Sequence, residues 1–271
     1  MSTIPNLAPD LNFGRFWLLT EEGYLINDCQ RSLIQDPWLP LVEEWMEGCV
    51  VGLGDRLHSL YLRGSIPRGL AVQGLSDLDG IVLTHQPLDD LTTQILFTLA
   101  QKLSRRYLFC PKVEILPLTL DDLRGDWAVL LATQGLNLWG QDVIPHLPPV
   151  KVSPALVHYL PTLEQDLQRV TTELRHSPTC TLSRCRWICP RLVRAGFELV
   201  MESEGQFTRD LGLSAVRFGV YYPQQARGMN LALKLALEPT GDRGGLLVFL
   251  QQFGGWLVRE FGVNQQNSFL H

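Results

Sequence analysis

The chain has 271 residues, 45% of them hydrophobic, with 23 basic and 28 acidic side chains and a net charge of −5. That length suits one large domain or two smaller ones, and the composition is globular rather than disordered or fibrous. No stretch of eighteen apolar residues occurs, which excludes a membrane-spanning helix, and the mild acidity argues against general nucleic-acid binding.

The N-terminal stretch MSTIPNLAPDLNFGR lacks the basic start and apolar run of a secretion signal. Six scattered cysteines (29, 49, 110, 180, 185 and 189) read as reduced thiols, so a cytoplasmic location is expected. Residues 14–27 alternate short apolar runs around Glu22-Gly23 and suggest a small hairpin or loop. A roughly helical pattern runs from Pro40 to Leu57. A strand is expected at Ser59 to Arg63, ending in the pair Gly64-Ser65, and a second at Leu78 to Thr84.

Asp89 to Tyr107 has helical spacing through Leu91, Ile95, Leu99 and Leu103. Lys112 to Leu118 reads as a strand with Glu114 as its one acid. A helix is expected from Thr119 to about Gln134. The strand, turn, strand, helix, strand order predicts a small mixed sheet with helices on one face. Gly140 and Pro145, Pro148 and Pro149 mark a linker near 140–154, which divides the chain into domains 1–150 and 151–271. Beyond it, apolar periodicity predicts helices at about 155–175, 183–204, 212–218, 223–237 and 244–262. The fold class is therefore α+β, a small mixed sheet followed by an α-helical bundle.

Charge is unevenly divided. Residues 1–150 hold 18 acids against 10 bases, a net of −8, and residues 151–271 hold 10 acids against 13 bases, a net of +3. Eleven of those thirteen bases are arginine, whose planar fork suits phosphate and carboxylate, so the second half is expected to help hold an anionic ligand.

The chemistry concentrates in LYLRGSIPRGLAVQGLSDLDGIVL, Leu60 to Leu83. Asp77 and Asp79 stand two apart at the opening of a strand, so both carboxylates aim at one side. Adjacent negative charges repel unless a cation lies between them, and a divalent ion is the natural third party. The Gly64-Ser65 turn offers close backbone approach, free N–H groups and a hydroxyl to a phosphate. Metal beside phosphate is the setting for phosphoryl or nucleotidyl transfer. Asp89-Asp90 and Asp121-Asp122 fall at helix starts and read as caps. His176, Cys180, Cys185 and Cys189 lack the paired spacing of a zinc site and read as ordinary thiols and a histidine.

The pattern Gly64-Ser65, Arg68-Gly69 and Ser76-Asp77-Leu78-Asp79 resembles the signature of nucleotidyltransferases related to DNA polymerase β. The stretches WAVLLATQGLNLWGQDVIPHLPP, RLVRAGFELVMESEGQFTRDLGLSAVRF and LLVFLQQFGGWLVREFG resemble the streptomycin/spectinomycin adenylyltransferases. The resemblance implies a magnesium-dependent transfer of AMP from ATP to a hydroxyl, with two magnesium ions. It implies Gly64, Ser65 and Arg68 at the nucleotide and Asp77 and Asp79 on the metal. Glu114 becomes general base, and Arg209 replaces the family's lysine that reaches the phosphates across the interdomain cleft. Where those enzymes place acids to receive a polycationic antibiotic, this chain has Arg184, Arg186, Arg191 and Arg194. Like charges repel, so the expected acceptor is neutral or anionic. A regulatory, antitoxin-like protein on the same fold and an RNA- or protein-directed transferase are the alternatives.

Overall fold

The computed structural model describes residues 14–268, and these divide into two compact units. One spans residues 18–151. The other comprises residues 152–268 together with 14–17.

The first unit is built on four strands: β1 (Leu57–Arg63), β2 (Leu78–Thr84), β3 (Val113–Thr119) and β4 (Leu136–Gly140). Their order across the sheet is β3-β2-β1-β4. β1 runs antiparallel to β2 and β4, while β2 and β3 are parallel. A parallel neighbour needs a crossover connection, which α2 (Asp90–Arg106) supplies. Sequence chemistry sets the ends of α2. The Asp89 carboxylate accepts the Thr92 N–H at 2.7 Å, and Arg105 and Arg106 lie in the last turn, where cations complement the helix dipole.

Strand alternation sorts the side chains onto two faces. Leu60, Leu62, Leu78, Val82 and Val113 pack against α1 (Trp38–Leu53) and α2 through Leu41, Trp45, Cys49, Leu96 and Leu103. Tyr61, Ile81, Leu83 and Leu118 point the other way, onto Leu131, Leu130 and Trp127 of α3 (Asp126–Gln134). Both faces are thus partly covered, where helices on one face alone were expected. The cause lies at Gly125, whose φ of +53° breaks the expected continuous helix from Thr119. A short 3-10 turn at Leu120–Asp122, closed by a Thr119/Asp122 capping box, precedes the break, and α3 turns onto the opposite face.

α1 ends at Gly54, with φ of +53°, so Leu57 joins the sheet instead of the helix. The stretch around Glu22-Gly23 closes as a small hairpin through the Leu19/Leu25 bridge, and Tyr24 bridges to Lys151.

The second unit is helical: α4 (Leu160–His176), α5 (Thr181–Glu198), α6 (Met201–Glu204), α7 (Leu211–Tyr221), α8 (Ala226–Leu237), α9 (Arg243–Phe249) and α10 (Gly255–Ser268). Its core includes Leu163, Val170, Ile188, Leu192, Phe218 and Phe253. The buried Glu198 carboxylate accepts the N–H groups of His158, Tyr159 and Leu160 and so closes the start of α4. Trp17 donates its N–H to the Phe207 carbonyl at 2.8 Å, which fixes residues 14–17 in this unit rather than the sheet unit. The helix expected at 183–204 is two, parted at Leu199-Val200. That expected at 244–262 is interrupted by a π turn at Leu250–Gly254, where Gly254 lies against the Leu167 side chain. No helix among the described residues is long and apolar enough to cross a membrane.

Gly80 follows Asp79 and faces α1. A Cβ there would collide with the indole ring of Trp45. Gly80→Ala is therefore expected to destabilise the first unit by about 1–3 kcal/mol, the usual penalty for overpacking. Urea denaturation followed by tryptophan fluorescence checks this through a lowered midpoint; an unchanged midpoint would contradict the packing argument.

Candidate active site

β1 leaves the sheet through Gly64, whose φ of +87° suits glycine alone among common residues. The same glycine makes room for a neighbour, since a Cβ at this point would lie 2.8 Å from Asp79 Oδ2. Ser65 then opens a 3-10 turn, Ile66–Arg68, anchored by the buried Ile66 and Pro67 and closed by Gly69 with φ of +68°. The Ser65 carbonyl accepts the Leu70 N–H at 2.9 Å. Its hydroxyl has no partner within the described protein, although it is only partly exposed.

Arg68 holds this turn from beneath. Its guanidinium grips Asp28 through Nε–Oδ1 at 2.7 Å and Nη2–Oδ2 at 3.2 Å, with the Arg68 side chain only 10% exposed. The Gln30 N–H adds a bond of 2.8 Å to the Pro67 carbonyl. Arg68 was expected at the nucleotide. Its fork faces Asp28 instead, and a paired, enclosed arginine positions the loop that carries Ser65.

The carboxylates are arranged by strand register. Arg63 pairs with Asp79 across β1 and β2, and Asp79 pairs with Glu114 across β2 and β3. Directly paired residues project to one face, so Arg63, Asp79 and Glu114 form a row across three strands. Asp77 lies two residues before Asp79, just outside β2. α3 packs further along the same face, on Tyr61, Ile81, Leu83 and Leu118, and the row remains partly exposed beyond it.

Arg63 Nη2 reaches Asp79 Oδ1 at 3.1 Å, and Lys112 Nζ reaches Glu114 Oε1 at 3.2 Å. Burial raises the proton affinity of Asp79 above the ordinary carboxylate value. Arg63 opposes that rise, while the charges of Glu114 and Asp77 add to it. Asp77 is raised as well, again by burial first, with Lys112 opposing and Glu114 reinforcing. Negative charge in the row thus exceeds what its two cations neutralise.

Glu114, the one acid of its apolar strand, does not sit in the strand's middle. It lies at the second residue of an edge strand with its side chain 44% exposed. Nor do the three acids close into one cage. Among the described residues no three His, Cys, Asp or Glu side chains stand together as a complete metal site. Asp77 and Asp79 do fit a magnesium ion. They are hard oxygen donors with uncompensated charge, and magnesium is ordinarily held by one or two carboxylates plus water and substrate phosphate.

Arg209 belongs to the helical unit. Its Nη1 donates to the Tyr159 hydroxyl at 3.0 Å, and the guanidinium lies over the Tyr159 and Phe207 rings at 5.3 and 5.5 Å. Arg194 donates to the same hydroxyl at 3.3 Å. The Nε atoms of both arginines are buried without a hydrogen-bond partner. Tyr159 as the hub of this pair carried no recognisable motif in the sequence. Other arginines nearby are tied to neighbours: Arg184 to Glu173 at 2.6 Å, and Arg191 to Asp166 at 3.5 Å and over the Trp187 ring at 4.0 Å. Cys185 and Cys189 are buried with their sulfurs 3.8 Å apart, and the His176 ring turns to the Thr172 carbonyl at 2.7 Å.

No protein-family model matches the chain, and neither does any curated protein. Solved structures do. A spectinomycin adenyltransferase from Enterococcus faecialis, determined with ATP and spectinomycin, superposes with a TM-score of 0.50 at 12% identity over 81% of this chain and 98% of its own. A toxin–antitoxin complex with AMP-PNP matches at 28% identity over 37% of this chain and 74% of its own, with a TM-score of 0.29. A complex of a tri-AMPylated Shewanella oneidensis HEPN toxin with its MNT antitoxin matches at 21% identity over 51% of this chain and 92% of its own, with a TM-score of 0.29. The first of these shows the fold: a mixed-sheet domain followed by a helical region.

The crowded carboxylates have a consequence for stability. An acid whose folded-state proton affinity is raised costs stability once ionised, so its penalty grows as pH rises from the unfolded pKa of about 3.9 through the folded value. Asp77→Asn removes one such charge. The variant is expected to melt above the natural protein at pH 7, with the gap narrowing as pH falls toward 4. Thermal melts across that range check it; a variant that melts lower at pH 7 would show that Asp77 stabilises the native state.

Proposed function

We propose that the protein is a magnesium-dependent nucleotidyltransferase that moves AMP from ATP to a hydroxyl of a neutral or anionic acceptor. One observation carries this reading: the Arg63, Asp79 and Glu114 row, with Asp77 beside it, opens next to the Gly64-Ser65 turn. The shared fold with an adenyltransferase solved with ATP supports it.

In this reading the free Ser65 hydroxyl and the glycine-bracketed backbone around it take the phosphates. Asp77 and Asp79 hold the magnesium. The ion, when bound, neutralises phosphate charge and polarises the phosphoryl group. Arg63 fixes the rotamer of Asp79 through their 3.1 Å pair, so one carboxylate oxygen keeps a defined direction. Glu114 accepts the proton of the acceptor hydroxyl, and its exposure gives that hydroxyl access. The acceptor oxygen bonds to the α-phosphorus. The bond from that phosphorus to the β-bridging oxygen breaks, and pyrophosphate leaves with the electron pair.

Cytoplasmic location belongs to the same proposal.

The test uses α-phosphate-labelled ATP, magnesium and cell extract. The natural protein is expected to transfer label, and ATP with magnesium is expected to raise its melting temperature. Asp77→Ala should abolish both effects. Glu114→Gln should slow transfer by about 10²–10⁴-fold while keeping the melting shift. Full transfer by Asp77→Ala would overturn the assignment.

A further inference from the structure

At the edge of the sheet, a hollow of about 590 Å³ lies between one face of α2 and the edge strand β3. Its size falls in the range of small-molecule sites. Phe97, Ala100, Ile115 and Pro117 form an apolar end. Arg105, Lys112 and Glu114 form a polar end. We propose that this hollow seats the body of the acceptor, and that the acceptor is an amphiphile: an apolar ring with a hydroxyl and an anionic group close together at one end. The acceptor role rests on the function proposed above; the binding itself does not.

Four observations lead there. Glu114, the proposed base, is among the lining residues, so the hollow reaches the strand edge that carries it. Phe97 leaves 56% of its surface in solvent although it is a large apolar residue on the wall of a concavity, which offers a ring face for stacking. Lys112 is committed to Glu114 at 3.2 Å, whereas Arg105 has no ion-pair partner among the described residues. An unpaired arginine at the mouth of an apolar cavity favours a carboxylate or phosphate and disfavours an ammonium.

The fourth observation excludes a peptide strand as the occupant. The Leu78 N–H donates to the Lys112 carbonyl at 3.0 Å, so parallel alternation turns Val113, Ile115, Pro117 and Thr119 to the open edge of β3. The Val113 N–H is taken by Ser104 Oγ at 3.2 Å and that of Thr119 by Asp122 at 2.8 Å, while Pro117 has none. Ile115 alone keeps an outward donor among the described residues, and one donor cannot template an added strand.

The probes are 3-phenyllactate, its neutral amide and the cationic 2-amino-3-phenylpropan-1-ol, which share a ring and an aliphatic hydroxyl. Calorimetric titration of the full-length protein is expected to rank the anion above the amide and the amide above the cation, with anion and cation at least about tenfold apart. Arg105→Glu should abolish or invert that order, and Phe97→Ala should weaken all three by about tenfold. In pyrophosphate-release assays both variants should raise KM for phenyllactate and leave KM for ATP unchanged. Absence of phenyllactate binding, equal binding of anion and cation, or binding indifferent to both substitutions would overturn the proposal. If binding follows Arg105 and Phe97 while ATP with magnesium produces no melting shift, the hollow stands as an anion-selective site and the transferase reading falls. If label transfer depends on Asp77 while the hollow ignores the probes, the reverse holds.

Discussion

Everything in the sheet unit turns on carboxylates brought together by strand register. Asp79 is set between Arg63 and Glu114 because three strands align there, not because the loop around it folds in a particular way. Backbone pairing is a rigid constraint: a slip of one residue would send every side chain of a strand to the opposite face. The apolar residues further along fix that register. Ile81 and Leu83 must meet Tyr61 and Leu118 over α3, and Leu78 and Val82 must meet α1 and α2. Burial of the two hydrophobic faces thus holds the charges in line, and this energy comes from positions that take no part in chemistry.

Glycine does several distinct tasks around the row. Gly64 takes a left-handed conformation and leaves space for an Asp79 oxygen. Gly80 lets Trp45 press against the strand directly behind the acids. Gly69 closes the turn whose next-to-last residue is locked by Asp28. The loop bearing Ser65 is therefore held at both ends and from below, while its hydroxyl stays uncommitted. A site that must meet a charged ligand without rearranging benefits from such preorganisation.

Much of this was legible in the chain itself. β2 begins and ends where its apolar run predicts, and α2 starts at the Asp89 cap. These features are local, set by periodicity and by a side chain three residues from the N–H it binds. What the sequence concealed depends on distant partners. Nothing local says that Arg68 will meet Asp28, forty residues earlier, rather than a phosphate. Arg63 stands immediately before Gly64 in plain view, but its role comes from a register with β2 that only the folded sheet defines. The split of the expected helix after Thr119 follows from Gly125, a residue that sequence reasoning passed over and whose positive φ redirects α3 to the second face. Glu114 stands among apolar neighbours, which says nothing of how exposed it is. Its place on an edge strand, settled by topology, leaves it nearly half in water.

That exposure changes how the site works. Glu114 pairs with Lys112 at 3.2 Å and stands in contact with solvent. The burden of desolvation falls on Asp77 and Asp79, the two groups whose repulsion a divalent cation would relieve. Charge strain is thus concentrated at Asp77 and Asp79, where a ligand could release it. The edge position of β3 serves the same division. It leaves Glu114 exposed at the rim of the sheet, while Ser104, Pro117 and Asp122 leave the strand's backbone little to offer another chain. Such an edge is closed to strands but open to small molecules.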